Sequence, residues 1–364
     1  MAQRSGKATS IAESRLDRRR TLPWSEEMGD RYKIIFYDYL PILLNDLVPR
    51  YAGYKPFVPS GISSSFATSA SEYMTTLMPP AIFLRDTTCR YRNDIMGYSS
   101  VRLCQNWWDG QDIVEQFSVE EVILGMSSQI AEAEDMIVVD DLRDYSPGPL
   151  YFSRSDRIAS TIMRCRDNGL SSYETLRKSL NLPDVQWFRK NQSQLEKIRN
   201  LYGDNFNEMS AFVGGMLETT ADGPGLLFTQ IFLDQFLRIR DGDRFWFENR
   251  QNGIFSEEEI TQIHETSFAD IVRETTSIGK EEIQENVFVW LRGSPCPQPY
   301  QLNETGIEKC VPLMISDHFA GNEACYIYVC IFLISIPIAL AVGSYRRSVS
   351  KKITKLIQGA EKVL

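Results

Sequence analysis

Residues Ala324–Gly343 read ACYIYVCIFLISIPIALAVG, and this stretch divides the chain. No charged residue interrupts it for 20 residues. A helix rising about 1.5 Å per residue over that length crosses a hydrocarbon core of about 30 Å. Tyr326 and Tyr328 stand at one end, where interfacial aromatics collect. Pro337 allows a kink without forbidding the span. A helix buried in a soluble core is the bland alternative, and the length and flanks fit it less well. Asp317 and Glu323 precede the stretch, while Arg346, Arg347, Lys351 and Lys352 follow it. That asymmetry predicts a single-pass membrane protein, with a cytosolic C-terminus and everything upstream of the span outside.

Outward from the span, the tail 344–364 carries six basic residues against Glu361, a net of +5, so the rest of the chain holds −14 of the overall −9. Ile353, Leu356, Ile357 and Ala360 recur at helical spacing, which predicts a basic amphipathic tail lying on anionic lipid. The start of a cytosolic domain fits the same residues. Residues 316–323 form a short juxtamembrane linker. With 43% hydrophobic and 24% charged residues in 364, the chain has a globular composition, and its acidic balance excludes nucleic acid as a partner. Residues 1–22 are basic, without apolar periodicity, and are expected to be disordered. They lack the apolar centre of a secretory signal, so an extracellular domain here is expected to be part of a longer protein.

Only His264 and His318 are histidines, which excludes a His-rich metal site, and no metal is expected. Both read as exposed surface residues. Cys89, Cys104, Cys296 and Cys310 are disulfide candidates in an oxidising compartment, with three connectivities open, while Cys165 is left over and Cys325 and Cys330 lie in the span. Asn191-Gln-Ser and Asn303-Glu-Thr are glycosylation sequons consistent with extracellular exposure. The patterns GxxxxGK[ST], GxSxG and HExxH are absent. Asp140-Asp141 reads as a solvated surface pair, and Asp241-Gly-Asp243 is not a calcium loop because Phe245 and Phe247 occupy ligand positions.

Residues 23–315 read as one mainly α domain. Ser25 opens a helix running into Ile34-Ile-Phe-Tyr-Asp-Tyr-Leu and broken near Pro41. Phe66–Leu77 is a helix that stops at Pro79-Pro80. Further helices are expected from Ser118 to Met126, over Arg157–Arg164, from Phe228 to Arg240, and from the capping box Ser256-Glu-Glu-Glu259 through about Glu274.

Within this frame several blocks stand out: Tyr37-Asp-Tyr39-Leu-Pro41, Tyr54-Lys-Pro56, Phe66-Ala-Thr-Ser-Ala70 leading to Leu77-Met-Pro79, and Gln129-Ile to Asp135. The most specific are Arg164-Cys-Arg166-Asp167-Asn-Gly169-Leu170 and Asp241-Gly-Asp243-Arg244-Phe-Trp246-Phe-Glu248-Asn249. Asn286-Val-Phe-Val-Trp290 and Cys296-Pro-Gln-Pro299 follow. Together they resemble the animal haem peroxidases over residues 23–345, and specifically the C-terminal half of the peroxidase-homology region of the dual oxidases. The implied fold is a mainly α, haem-peroxidase-like domain, incomplete here, followed by one transmembrane helix.

The resemblance also implies where a haem site would lie. In the family pattern F-A-T-A-A-F-R-F-G-H-T-L the proximal histidine falls on Thr75, a poor iron ligand beside imidazole. The propionate-binding arginine falls on Glu72, a charge reversal that would repel a propionate. The asparagine that orients the proximal histidine falls on Thr161. Arg164, Arg166, Asp167 and Gly169 keep the R-x-R-D-x-G motif, and are expected to form a buried network that holds helices together. The distal histidine, catalytic arginine and calcium loop belong upstream of residue 23, and residues 1–22 carry no counterpart.

The expectation is therefore a haem-peroxidase-like ectodomain of an H2O2-generating NADPH oxidase, non-catalytic itself and without a cofactor of its own, acting as a scaffold. FAD and NADPH would belong to other parts of the parent protein. Implied partners are a dual oxidase maturation factor, the oxidase portion of the parent, the membrane, and a second copy in a homodimer. The alternative is a haem-binding peroxidase acting on H2O2 under oxidative stress or in matrix cross-linking.

Overall fold

A computed structural model describes residues 24–92, 100–106, 116–133, 136–146, 155–185, 192–203, 206, 208–220, 223–291, 293–297, 307, 310 and 323–360. The chain forms two units. One comprises Met1–Pro149 with Ser153–Cys310, and the other Leu150–Phe152 with Val311–Leu364. The expected ectodomain boundaries at 22/23 and 315/316, residues 316–322 of the linker, His318, Asn191 and Asn303 lie outside the described residues.

The larger unit is mainly helical. Helix α1 (Trp24–Lys33) passes through a π turn (Ile34–Tyr39) into α2 (Leu40–Leu43). Pro41 sits in the first turn of α2, where a missing N–H goes unnoticed. The predicted helix over 66–77 is two pieces: α3 (Ser64–Thr68) and a 3₁₀ segment (Ala70–Leu77). The reason is a run of hydroxyls that turn back on the backbone. Thr68 donates to the Ser64 carbonyl (2.7 Å), Thr75 to that of Glu72 (2.6 Å) and Thr76 to that of Tyr73 (2.8 Å). Such bonds compete with the α ladder, and Ser69 leaves it at φ −131°, ψ −77°.

Strands β1 (Ala81–Phe83) and β2 (Ser100–Arg102) pair antiparallel, Ala81 opposite Arg102. Then come α4 (Leu103–Asn106), α5 (Val119–Ser127), α6 (Asp140–Asp144), α7 (Arg157–Asp167), α8 (Tyr173–Ser179), α9 (Gln192–Tyr202) and α10 (Ala211–Glu218). Helices α11 (Leu226–Gly242), α12 (Glu257–Glu265) and α13 (Phe268–Thr275) follow. The start of α5 matches the sequence: Ser118 accepts from the Glu121 N–H while Glu121 accepts from that of Ser118, both at 3.2 Å. The single helix expected from Ser256 to Glu274 is instead interrupted, because Ser267 and Asp270 form a second capping box that starts α13.

The core is aromatic-rich. Phe36 meets Trp246 edge-on at 4.8 Å, and Phe66 meets Phe232 at 5.6 Å. Gly214 and Gly215 let α10 press against its neighbours: a Cβ at either would stand 2.2 Å from the Tyr173 or Phe228 ring. A second, smaller cluster joins Leu124 of α5 to Ala269 and Val272 of α13.

Of the three disulfide connectivities, the chain adopts Cys89–Cys296 and Cys104–Cys310. Each ties the strand region to residues some two hundred positions later, a large restriction on the unfolded chain.

In the smaller unit, one helix, α14 (Glu323–Ala360), contains Pro337 and runs without a break from the predicted span into the basic tail. Within its stretch Tyr328–Lys352 an 18-residue window has a mean hydropathy of 2.0, and the helix is long and apolar enough to cross a membrane. Leu333, Ile334 and Leu340 are exposed on it. So continuous an apolar surface is suited to lipid.

Candidate functional site

The positions singled out for haem converge. Glu72, in the first turn of the 3₁₀ segment, is buried. Its carboxylate accepts from Arg157 Nε (3.1 Å) and Nη2 (3.4 Å) and from Arg164 Nη2, both on α7. Thr161, also on α7 and buried, accepts from Arg164 (3.2 Å) and donates to the Arg157 carbonyl (2.9 Å). Thr75 spends its hydroxyl on the carbonyl of Glu72. The 3₁₀ segment and α7 are thus clamped by a carboxylate between two guanidiniums. Below them, the buried Cys165 thiol donates to the Thr68 carbonyl (3.0 Å), and burial pushes that thiol up from its ordinary pKa.

The retained motif is not the buried network expected of it. Arg164, Arg166 and Asp167 lie on the exposed side of α7, and only Arg164 reaches inward, to Glu72. Asp167, Asn168 and Gly169 end the helix, with Gly169 at φ +64° and its N–H on the Arg166 carbonyl (2.9 Å). Nor is Asp141 part of a solvated surface pair. It is fully buried instead of solvated, because Arg102 grips it through Nε and Nη2 (3.0 Å) and the Cys104 N–H donates to it (2.8 Å). Asp141 sits with Cys104 and Cys310 in a cluster of metal-ligand type, but the two sulfurs are bonded to each other and are not free to coordinate.

Other buried polar groups gave little sequence signal. Glu218 ends the apolar helix α10 and accepts from Tyr173 Oη, Arg177 Nη1 and the Leu227 N–H (3.0 Å). Burial first, and then the Glu218 charge, push the Tyr173 phenol up. Asp241 is held by Lys55 (2.6 Å) and Arg240 (2.8 Å). Glu248 gathers Tyr37 Oη, Trp246 Nε1 (2.8 Å) and His264 Nε2 (3.2 Å). His264 is exposed, as expected, although its ring packs on Tyr37 and Phe247. A lone acid closing an apolar helix, as Glu218 does, is the kind of signal that could have marked such a site.

These residues do not fit a haem. His264 is the only imidazole among the described residues, and it faces Glu248. The Thr75 hydroxyl is occupied by its own turn, and at Glu72 a carboxylate stands between two cations that would otherwise be available to an anion. A cavity of about 240 Å³ beside Leu77, Met78, Ile82 and Met126 is apolar and below the range of about 300–1,000 Å³ usual for sizeable ligands.

Comparison with known proteins agrees with the fold and the motifs. The family model for animal haem peroxidase matches residues 31–288. Dual oxidase 1 of Caenorhabditis elegans is 47% identical over 86% of this chain and 22% of its own length. Drosophila melanogaster dual oxidase is 42% identical over 86% of this chain and 21% of its own, and human dual oxidase 2 is 39% identical over 90% and 22%. The chain therefore spans about a fifth of the curated relatives it matches. Among solved structures, peroxidase A from Dictyostelium discoideum superposes with a TM-score of 0.62 at 25% identity, covering 72% of this chain and 50% of that one. On these grounds the chain belongs to the animal haem peroxidase family, in which it resembles the peroxidase-homology region of the dual oxidases.

Proposed function

We propose that the chain is the non-catalytic second half of a dual oxidase ectodomain, a haem-free scaffold tethered by α14 at the plasma membrane. Its work in the parent protein is to cap an H2O2-generating NADPH oxidase unit and to present a surface to a dual oxidase maturation factor or a second copy. FAD and NADPH belong to the oxidase unit. The ectodomain faces outward and the basic end of α14 faces the cytosol, a reading supported by the flanking charges.

One observation carries this reading: the place where the family pattern puts a propionate-binding arginine and an iron-binding histidine holds Glu72 and Thr75, both satisfied by protein groups. A buried carboxylate with two cation partners has no need of an anionic porphyrin, and threonine gives iron no usable ligand.

The test is reconstitution of the ectodomain, together with the upstream sequence of its parent, with haemin. The expected spectrum has no Soret band, whereas the double variant Thr75→His, Glu72→Arg gains one. A sharp Soret band and peroxide-dependent turnover in the unaltered protein overturn the proposal in favour of a haem-binding peroxidase.

A further inference from the structure

Arg85 follows β1 and is fully buried. Its Nε donates to the Leu124 carbonyl (3.2 Å) and its Nη2 to the Glu282 carbonyl (2.8 Å). Its Nη1 points to no carboxylate. It lies against Cys296 Sγ and 3.8 Å from Cys89 Sγ, the two sulfurs of one disulfide. Burial pushes the guanidinium down from its ordinary pKa, though nowhere near neutrality at physiological pH. A buried cation is thus stationed on a disulfide.

The other disulfide has a carboxylate, not a guanidinium, against its sulfur. Asp141 Oδ1 is 3.5 Å from Cys310 Sγ, and the same oxygen accepts from the Cys104 N–H. Arg102 pairs with that carboxylate, its Nε on the same Oδ1 (3.2 Å) and its Nη2 on Oδ2 (3.0 Å). Accessibility differs within the first pair as well. Cys89 sits half-buried in the turn 86–90, whereas Cys296 is fully buried.

We propose that Cys89–Cys296 is a thiol-exchange site, with Cys89 as the sulfur attacked and Cys296 as the leaving thiolate held by Arg85. The co-reactant is a thiolate such as that of glutathione. Its sulfur forms a bond to Cys89 Sγ, the Cys89–Cys296 bond breaks, and the bonding pair leaves on Cys296. The products are a mixed disulfide on Cys89 and a thiolate on Cys296, so charge and electrons balance without an added oxidant. Return attack by Cys296 restores the original bond. Exchange is faster when the departing thiol has a lower pKa, and a neighbouring cation lowers it. A neighbouring carboxylate acts the other way, so Cys104–Cys310 is the resistant partner.

The experiment uses the whole chain in detergent with both disulfides formed. Glutathione is added, samples are quenched in acid, unfolded and alkylated, and each cysteine is read by peptide mass. The expected result is a glutathione adduct on Cys89 and not on Cys296, with this bond opening about tenfold faster than Cys104–Cys310. Arg85→Gln slows the Cys89 adduct by about the same factor. Should that variant fail to fold, the position of the adduct and the ratio of the two rates in the unaltered chain decide the matter alone. Adducts on Cys296, equal opening of the two bonds, earlier opening of Cys104–Cys310, or a folded Arg85→Gln variant with unchanged rates each overturn the proposal.

Discussion

Two buried glutamates bound by arginines allow a direct test of what the 3₁₀–α7 clamp is worth. Glu72 and Glu218 each expose 6% of their side chain, yet their partners differ. Arg157 and Arg164 are 39% and 47% exposed, whereas Arg177 is 6% exposed. Glu72→Gln keeps one acceptor oxygen, and the guanidinium it releases turns to water. The loss is that of a half-solvated ion pair, about 1 kcal/mol. Glu218→Gln strands a cation that has nowhere to go, and also weakens the bonds to Tyr173 Oη and the Leu227 N–H at the start of α11. Removing one partner from a fully buried pair costs about 3–5 kcal/mol. Urea unfolding of the full chain in detergent, followed by the fluorescence of the buried Trp246 and the other tryptophans, measures both. A Glu72→Gln loss as large as that of Glu218→Gln refutes the reasoning, since it would make the clamp a pillar of the fold. A small loss places Glu72 among residues the fold tolerates changing, which is what the proposed replacement of a propionate-binding arginine requires.

Gly125→Ala is expected to destabilise by about 3 kcal/mol or more, because the added Cβ would stand 1.7 Å from the Phe83 carbonyl oxygen, a backbone atom that cannot swing away. A melting temperature within a degree or two of the parent chain rejects that close approach of α5 to β1. Stability should fall in acid: burial alone would raise Asp241 and Asp270, but Lys55 and Arg240 on the one, and Ser267 and Arg273 on the other, hold both below the ordinary range. Carboxylates with depressed folded values contribute above the unfolded value of about 3.9 and lose that contribution as pH falls through the folded one. The urea midpoint should therefore hold between pH 7 and 5 and drop below about pH 4, and a midpoint unchanged at pH 3 contradicts the assignment. For the proposed topology, Asn191→Gln and Asn303→Gln should each remove one mass step sensitive to glycosidase in protein made by secretory cells, and no step at either site contradicts an extracellular domain.

What the sequence made legible follows the range of the interactions involved. The start of α5 at Ser118 and the apolar length of α14 are written in neighbouring residues, and both are present as read. The break at Ser69 was missed although its cause is local. Apolar spacing over 66–77 suits a helix, but the hydroxyls of Thr68, Thr75 and Thr76 bond back to the chain and tighten it. The second capping box at Ser267 was overlooked for a similar reason, since the spacing of Ile260, Ile263 and Val272 continues across it.

Long-range polar pairing was the hidden part, and it changes how the candidate site is understood. Asp141 looks like half of a surface acid pair until Arg102, 39 residues away, is brought to it, and nothing local distinguishes it from Asp140. Glu72 looks like a charge reversal that empties a haem site. With Arg157 and Arg164 in place, it is a carboxylate that closes two helical segments on each other. A reversal at a cofactor position leaves a buried charge unless some cation answers it, and that cost would normally bar the change. Here the answer comes from Arg164, a residue of the very motif through which the family is recognised, so keeping that motif and placing a carboxylate at Glu72 are compatible parts of one arrangement.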